Sequence, residues 1–326
     1  MRLRCFSVPG GVRGKVAAWL VRGAGCLILG VAGAQVAVAQ GTAPDTRLSV
    51  VASFSILGDI VREVGGNDVR LDVLVGPMKD AHTFEPTPKD ARVLGNAQVL
   101  VINGLGFESW MPRLAEASGF KGRTITASQG VQARHLDEED GGHEHDDDHA
   151  AVDPHAWQNL ANGMIYARNI AQGLAAADPA HAAAYQARAE AYVRTLQQAD
   201  ADWRQQLAAI PEDRRVLATS HDAFGYFGDA YGIEVLSVVG LSSEAEPSAR
   251  TMADLVTRIR KHHIHALFLE QGGNTRALQQ IAQETGVKPG GTLYADTLDA
   301  PGHAVSTYLD MFRWNTRQLL AAFGAS

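Results

Sequence analysis

From Asp178-Pro179 to Pro211 one apolar stripe runs without a break: Tyr185, Ala189, Tyr192, Leu196, Ala199, Trp203 and Leu207 recur at steps of four and three residues. That spacing lays every one of them on the same face of a single α-helix, with Pro179 welcome in its first turn and Pro211 ending it. About 30 residues at 1.5 Å each span ~45 Å, enough to run past both halves of one molecule. On either side of the stripe, short apolar runs alternate with helical patterns. Before it, strands are predicted at 48–52, 71–75, 98–103 and 124–127, with a helix at 56–64 closed by Gly65-Gly66 and another opened by Thr87-Pro88. After it, strands at 216–219, 234–239, 266–270 and 292–295 alternate with helices at 223–231, 248–260 and 275–284 and a last one from His303. Two alternating halves around one long helix predict an α/β fold of two lobes, each with a mostly parallel sheet flanked by helices.

The chain begins with Arg2, Arg4, Arg13, Lys15 and Arg22, then an apolar stretch from Ala24 to Ala34 and an Ala37-Val38-Ala39 cleavage pattern. This reads as a signal peptide, residues 1–39, removed near Ala39 on export to the periplasm. The apolar run is shorter than the ~20 residues a membrane span needs, so the exported protein is expected to be soluble. Cys5 and Cys26 both lie in the leader, which leaves no cysteine for a disulfide or a thiolate metal site. Cys26 lacks the Leu and the preceding apolar run of a lipid-anchor cysteine. The leader holds five cations and no acid, so cleavage takes the formal charge from −7 to −12, which argues against nucleic acid as a partner. The predicted organisation is an N-terminal lobe over 40–177, a linking helix over 178–210 and a C-terminal lobe over 211–326.

Within the first lobe, 136–150 has no apolar periodicity. It carries Asp137, Glu138, Glu139 and Asp140, then His143, Glu144, His145, three aspartates and His149, and is expected to be a mobile acidic loop. His143, His145 and His149 are candidates for weak, fast-exchanging secondary zinc sites. No His-Glu-x-x-His occurs there, so it is not a metalloprotease helix.

Four residues stand at or beyond the carboxyl ends of predicted strands, where open α/β sheets place functional groups: His82, His155, His221 and Asp296. Three imidazoles and one carboxylate complete a tetrahedral shell for Zn²⁺. Because every ligand would then be protein, the set favours carriage of the ion over hydrolysis, which keeps a position open for water. A secreted zinc hydrolase, with Asp222 or Glu270 as general base, is the competing reading. Intervals of roughly seventy residues form no local metal signature, and taken singly each histidine is equally well explained as a surface or capping residue.

The segments around these residues, Asp80-Ala81-His82-Thr83-Phe84-Glu85-Pro86-Thr87-Pro88, Asn103-Gly104-Leu105-Gly106-Phe107-Glu108, Asp153-Pro154-His155-Ala156-Trp157, Ser220-His221-Asp222-Ala223-Phe224-Gly225-Tyr226-Phe227 and Asp296-Thr297-Leu298, resemble those of the cluster A-I solute-binding proteins of zinc and manganese ABC transporters, most closely the zinc-binding, ZnuA-like type. The resemblance implies two lobes joined by one rigid helix with little hinge closure, and metal held between them by His82 and His155 from the N-terminal lobe and His221 and Asp296 from the C-terminal lobe. It further implies a non-enzymatic monomer that hands Zn²⁺ to an ABC permease in the inner membrane, with a periplasmic metallochaperone as a further candidate partner. Ala81 stands where the family usually has Pro, and the disulfide of some relatives is missing.

The alternative cargo is manganese. Manganese-type members resemble this chain but tend to carry a carboxylate in place of His221, and three nitrogens favour zinc. Glu270, ending a predicted strand, is a candidate acceptor that orients a ligand histidine through its other ring nitrogen, with Glu108, Glu244 and Glu246 as weaker candidates. His262, His263 and His265 fall at a helix-to-strand junction and are read as favourable charges at a helix C-terminus.

Overall fold

The computed structural model describes residues 45–136, 151–239, 248–261, 264, 266–272 and 276–324. Its first half runs β1 (Leu48–Phe54), α1 (Ser55–Gly65), β2 (Val69–Val75), α2 (Pro88–Gly95), β3 (Val99–Ile102), α3 (Met111–Ser118), β4 (Arg123–Thr126) and α4 (Leu160–Ala177). The long helix α5 (Ala182–Ala208) follows, and then β5 (Val216–His221), α6 (Gly225–Tyr231), β6 (Glu234–Val239), α7 (Ala249–Lys261), β7 (Leu267–Glu270), α8 (Arg276–Thr285), β8 (Pro289–Leu293) and α9 (Tyr308–Phe323). No described helix is long and apolar enough to cross a membrane.

Each half carries one four-stranded, wholly parallel sheet, ordered β2-β1-β3-β4 and β6-β5-β7-β8. The two orders are the same pattern, so each sheet has its switch point beside its first strand, between β1 and β3 and between β5 and β7. Parallel strands covered on both faces read as continuous apolar runs, and all seven residues of β1 are buried. On α5 the stripe points inward: Tyr185, Ala189, Tyr192, Leu196, Trp203 and Leu207 are buried. The helix packs on α1 and α4 of the first half and on α6 and α9 of the second, with Trp203 stacked on Phe312 at 5.4 Å.

Several boundaries differ from expectation for local physical reasons. Asp178 ends α4, its N–H bonded to the Leu174 carbonyl, and its carboxylate takes the His181 ring and the Tyr185 hydroxyl at 2.6 and 2.9 Å. A 3₁₀ turn, Pro179–His181, therefore precedes α5. The last helix begins at Tyr308 rather than near His303, where the Thr307 hydroxyl accepts from Asp310 N. β8 ends at Leu293, not Ala295, and opens on Pro289-Gly290-Gly291. A side chain at Gly290 would sit 2.8 Å from the Phe268 ring, so the close strand approach selects a residue with poor strand propensity. Helices α3 and α4 carried no expectation; α4 contains Gly163 and Gly173, where a Cβ would meet Tyr308 Oη at 2.7 Å and Ile125 Cδ1 at 2.2 Å. Close packing has replaced intrinsic helix propensity there.

The halves are stitched by buried hydrogen bonds. Leu298 N donates to Ser55 Oγ at 3.1 Å, and Tyr308 N donates to Asp59 Oδ2 at 2.8 Å. Burial pushes the Asp59 carboxyl up to about 6, against the pull of the Tyr308 N–H and Arg62, with Glu63 and Asp310 adding to the rise. A carboxyl lifted this way stabilises the fold fully below its ordinary value of 3.8 and loses that contribution as pH climbs through about 6. Asp59→Asn removes the dependence while keeping an acceptor for Tyr308 N. Between pH 7 and pH 4 the unfolding free energy of the wild type should therefore rise relative to the variant by ~2 kcal/mol, read by denaturant titration. A constant difference would show that Asp59 stays ionised throughout.

Candidate metal centre

Each candidate ligand is fixed by its own surroundings. His82 lies in the β2–α2 loop, where Asp80 Oδ1 accepts its N–H at 2.7 Å and the Trp110 indole donates to the Ala81 carbonyl at 2.8 Å. Met78, at φ 62, ties the same loop to the other half by donating its N–H to Thr297 Oγ1 at 2.7 Å. His155 follows Asp153-Pro154. Asp153 Oδ1 accepts the His155 N–H at 2.9 Å and stands 2.8 Å from Nδ1, while Asn103 Nδ2 donates to the Pro154 carbonyl at 2.9 Å. His221 is the last residue of β5 and Glu270 the last of β7, so both sit at the switch point of the second sheet, where such folds bind ligands. Glu270 Oε1 accepts the His221 N–H at 3.0 Å and its other oxygen contacts Nδ1. Beside Asp296, the Ala295 carbonyl accepts from Trp157 Nε1 and Gln158 Nε2 at 2.9 and 2.6 Å, a grip exerted from the opposite half.

With Nδ1 of His155 and His221 engaged by carboxylates, their Nε2 atoms face the centre. His82 Nε2 and His155 Nε2 are 3.0 Å apart, and Asp296 lies 3.6 Å from His82, 3.7 Å from His155 and 2.9 Å from His221. One ligand atom from each of the four residues falls within 4.8 Å of all the others. Ligand atoms placed tetrahedrally around an ion at ~2.0–2.2 Å stand roughly 3.3–3.6 Å apart, and the observed spacings bracket that. Asp296 Oδ1 and His221 Nε2 are buried and make no aligned hydrogen bond, which leaves them oriented for a further partner. The side chains of His155, His221 and Asp296 are 0%, 1% and 8% exposed, and His82 is 11%. His82 accordingly lines the opening, a cavity of about 430 Å³ walled also by Leu105, Gly106, Ala133, Val152 and Pro154.

Electrostatics prepare the centre for a cation. Burial alone would depress the His221 imidazole, but the Glu270 and Asp296 carboxylates outweigh it and hold its pKa well above the usual histidine range. Burial would lift Asp296, yet His221 and His155 keep it well below the usual carboxylate range. Both shifts favour a charged imidazole facing a carboxylate when no metal is bound.

The structure brings together all four sequence candidates and sets Glu270 against His221. It puts Glu108 elsewhere: that carboxylate accepts from Ser53 Oγ at 2.7 Å and from the N–H groups of Asn103 and Gly104 at 2.6 and 3.2 Å, and so braces the turn after β3. Of the two bases named for the hydrolase reading, Asp222 is not among the clustered groups, and Glu270 contacts His221 Nδ1. His143, His145, His149, Glu244, Glu246, His262, His263 and His265 lie outside the described residues, as does the leader with Cys5 and Cys26. Asp153 was missed; its signal was a carboxylate two residues before a candidate histidine.

The sequence pattern of the family described as zinc-uptake complex component A, periplasmic, matches residues 50–322. Among curated relatives, the manganese-binding lipoprotein MntA of Halalkalibacterium halodurans is 32% identical over 276 residues, covering 84% of this chain and 88% of the relative. The iron ABC transporter substrate-binding lipoprotein MtsA of Streptococcus pyogenes is 30% identical over 280 residues, covering 84% and 88%. Among solved structures, the periplasmic zinc binding protein TroA of Treponema pallidum superposes with a TM-score of 0.78 at 29% identity, covering 85% of this chain and 99% of that one. The chain belongs to the periplasmic zinc-uptake complex component A family and is a substrate-binding protein of a metal ABC transporter.

Proposed function

We propose that the cargo is Zn²⁺, held by His82, His155, His221 and Asp296 and carried through the periplasm to an ABC permease of the inner membrane. The observation that carries this reading is the convergence of three Nε2 atoms and one carboxylate, at tetrahedral spacing, in a centre walled off almost completely from solvent. Three nitrogens suit Zn²⁺ better than Mn²⁺, which prefers an oxygen-richer shell. Four protein groups already fill a tetrahedron, so no position is left for the water a hydrolase activates. Manganese is the second reading, since a relative named for that ion is 32% identical. The deciding experiment is elemental analysis of protein purified from its native compartment, followed by competition between the two ions. Zinc recovered at about one ion per chain and retained against excess manganese supports the proposal; manganese in the native protein overturns it. His143, His145 and His149 remain proposed as weak secondary sites.

Binding should also expel a proton. His221 carries one in the metal-free centre, because Glu270 and Asp296 outweigh the effect of burial, and a protonated imidazole cannot ligate. Zinc uptake at neutral pH should therefore release about one proton per ion, and affinity should fall as pH falls. Calorimetric titration in buffers of different ionisation enthalpy measures this directly. A binding enthalpy independent of the buffer would show that His221 is neutral before the metal arrives.

A further inference from the structure

Arg134 touches none of the four candidate ligands, yet it lies between the carboxylate that orients one of them and the helix that follows another. Its backbone carbonyl accepts from Asp153 N at 2.9 Å, and its Nη1 stands 3.4 Å from Asp153 Oδ2, the oxygen that His155 leaves free. The other edge of the guanidinium faces α6 of the C-terminal lobe: Nε is 3.3 Å from Asp229 Oδ2, and Arg134 N donates to the Tyr226 hydroxyl at 2.8 Å. α6 starts at Gly225, four residues after His221. A Cβ at Gly225 would come within 2.5 Å of the guanidinium carbon, so the absent side chain lets the planar group lie close against the start of the helix.

Charge leads to the same residue. Asp153, Glu270 and Asp296 are all buried, and three buried carboxylates demand compensation. A divalent ion together with Arg134 balances them.

We propose that Arg134 is a positioning residue that holds Asp153 against His155 and straps that assembly to α6 of the other lobe, and so sets how slowly bound metal escapes. The proposal rests on the receptor reading above. It assigns the effect to release rather than capture, because the Arg134 side chain, unlike His82 and its own neighbour Ala133, is not among the groups lining the opening.

The test is stopped-flow transfer of zinc from the loaded, full-length exported protein to an excess of chelator. Arg134→Gln removes both arms, whereas Asp229→Asn, at a residue exposed to solvent, removes only the strap to α6. Groups that orient metal ligands typically change affinity 10–100-fold when altered. Arg134→Gln should raise the release rate at least about tenfold and Asp229→Asn by a smaller factor, with association rates within about twofold of wild type. The thermal midpoint of metal-free Asp229→Asn should match wild type, which a purely structural role would not predict for a variant that releases metal faster. Release at the wild-type rate in both variants overturns the proposal while leaving the receptor reading intact. Acceleration in Arg134→Gln alone overturns the strap. Tight zinc binding by His221→Ala would instead overturn the proposed ligand set, and this inference with it.

Discussion

His221→Ala should lose zinc affinity by about two orders of magnitude. Structural zinc sites bind with ~10–16 kcal/mol at neutral pH, so a quarter of the shell is worth roughly 2.5–4 kcal/mol, a factor on the order of 100 in Kd. The change also leaves Glu270, 3% exposed, facing a void where its imidazole partner stood. Competition against a chelator of known affinity measures the loss, with circular dichroism confirming that the fold persists. A Kd within threefold of wild type would remove His221 from the ligand set.

Trp157→Ala should be the most damaging single change to the fold outside the centre. The indole is fully buried, with its ring 5.0 Å from Phe54, 4.8 Å from Phe107 and 5.2 Å from His155. Truncating a buried Trp costs about 3–5 kcal/mol, and a chain of this size loses roughly 10 °C in Tm for that amount. The same change removes the bond from Nε1 to the Ala295 carbonyl, which reaches from one lobe to the residue beside Asp296. Stability and metal affinity should therefore fall together, and calorimetry of metal-free and zinc-loaded protein separates the two losses. A Tm within 2 °C of wild type would show that the surrounding rings close the gap.

How legible these features were in sequence depended on whether local chemistry or tertiary contact decided them. β6 was expected at 234–239 and found as Glu234–Val239, because a short apolar run next to Gly232 admits little else. The α5 stripe was equally plain, since its periodicity is the packing. β8 was displaced toward its N-terminus because the glycines that permit its approach to Phe268 read as a turn. The four clustered residues share no local spacing; each was visible only as a polar group near a strand end, and it took the family resemblance to group them. Glu270 was legible for the same positional reason as His221. Arg134 was not legible at all, since its partners Asp153, Tyr226 and Asp229 lie 19 to 95 positions along the chain and only the folded molecule assembles them.

The most direct measurement is anomalous diffraction at the zinc edge from crystals of the zinc-loaded protein. One strong peak should lie ~2.0–2.2 Å from Nε2 of His82, His155 and His221 and from a carboxylate oxygen of Asp296. A peak anywhere else, or an ion there with one of those four side chains turned away, would contradict the assignment.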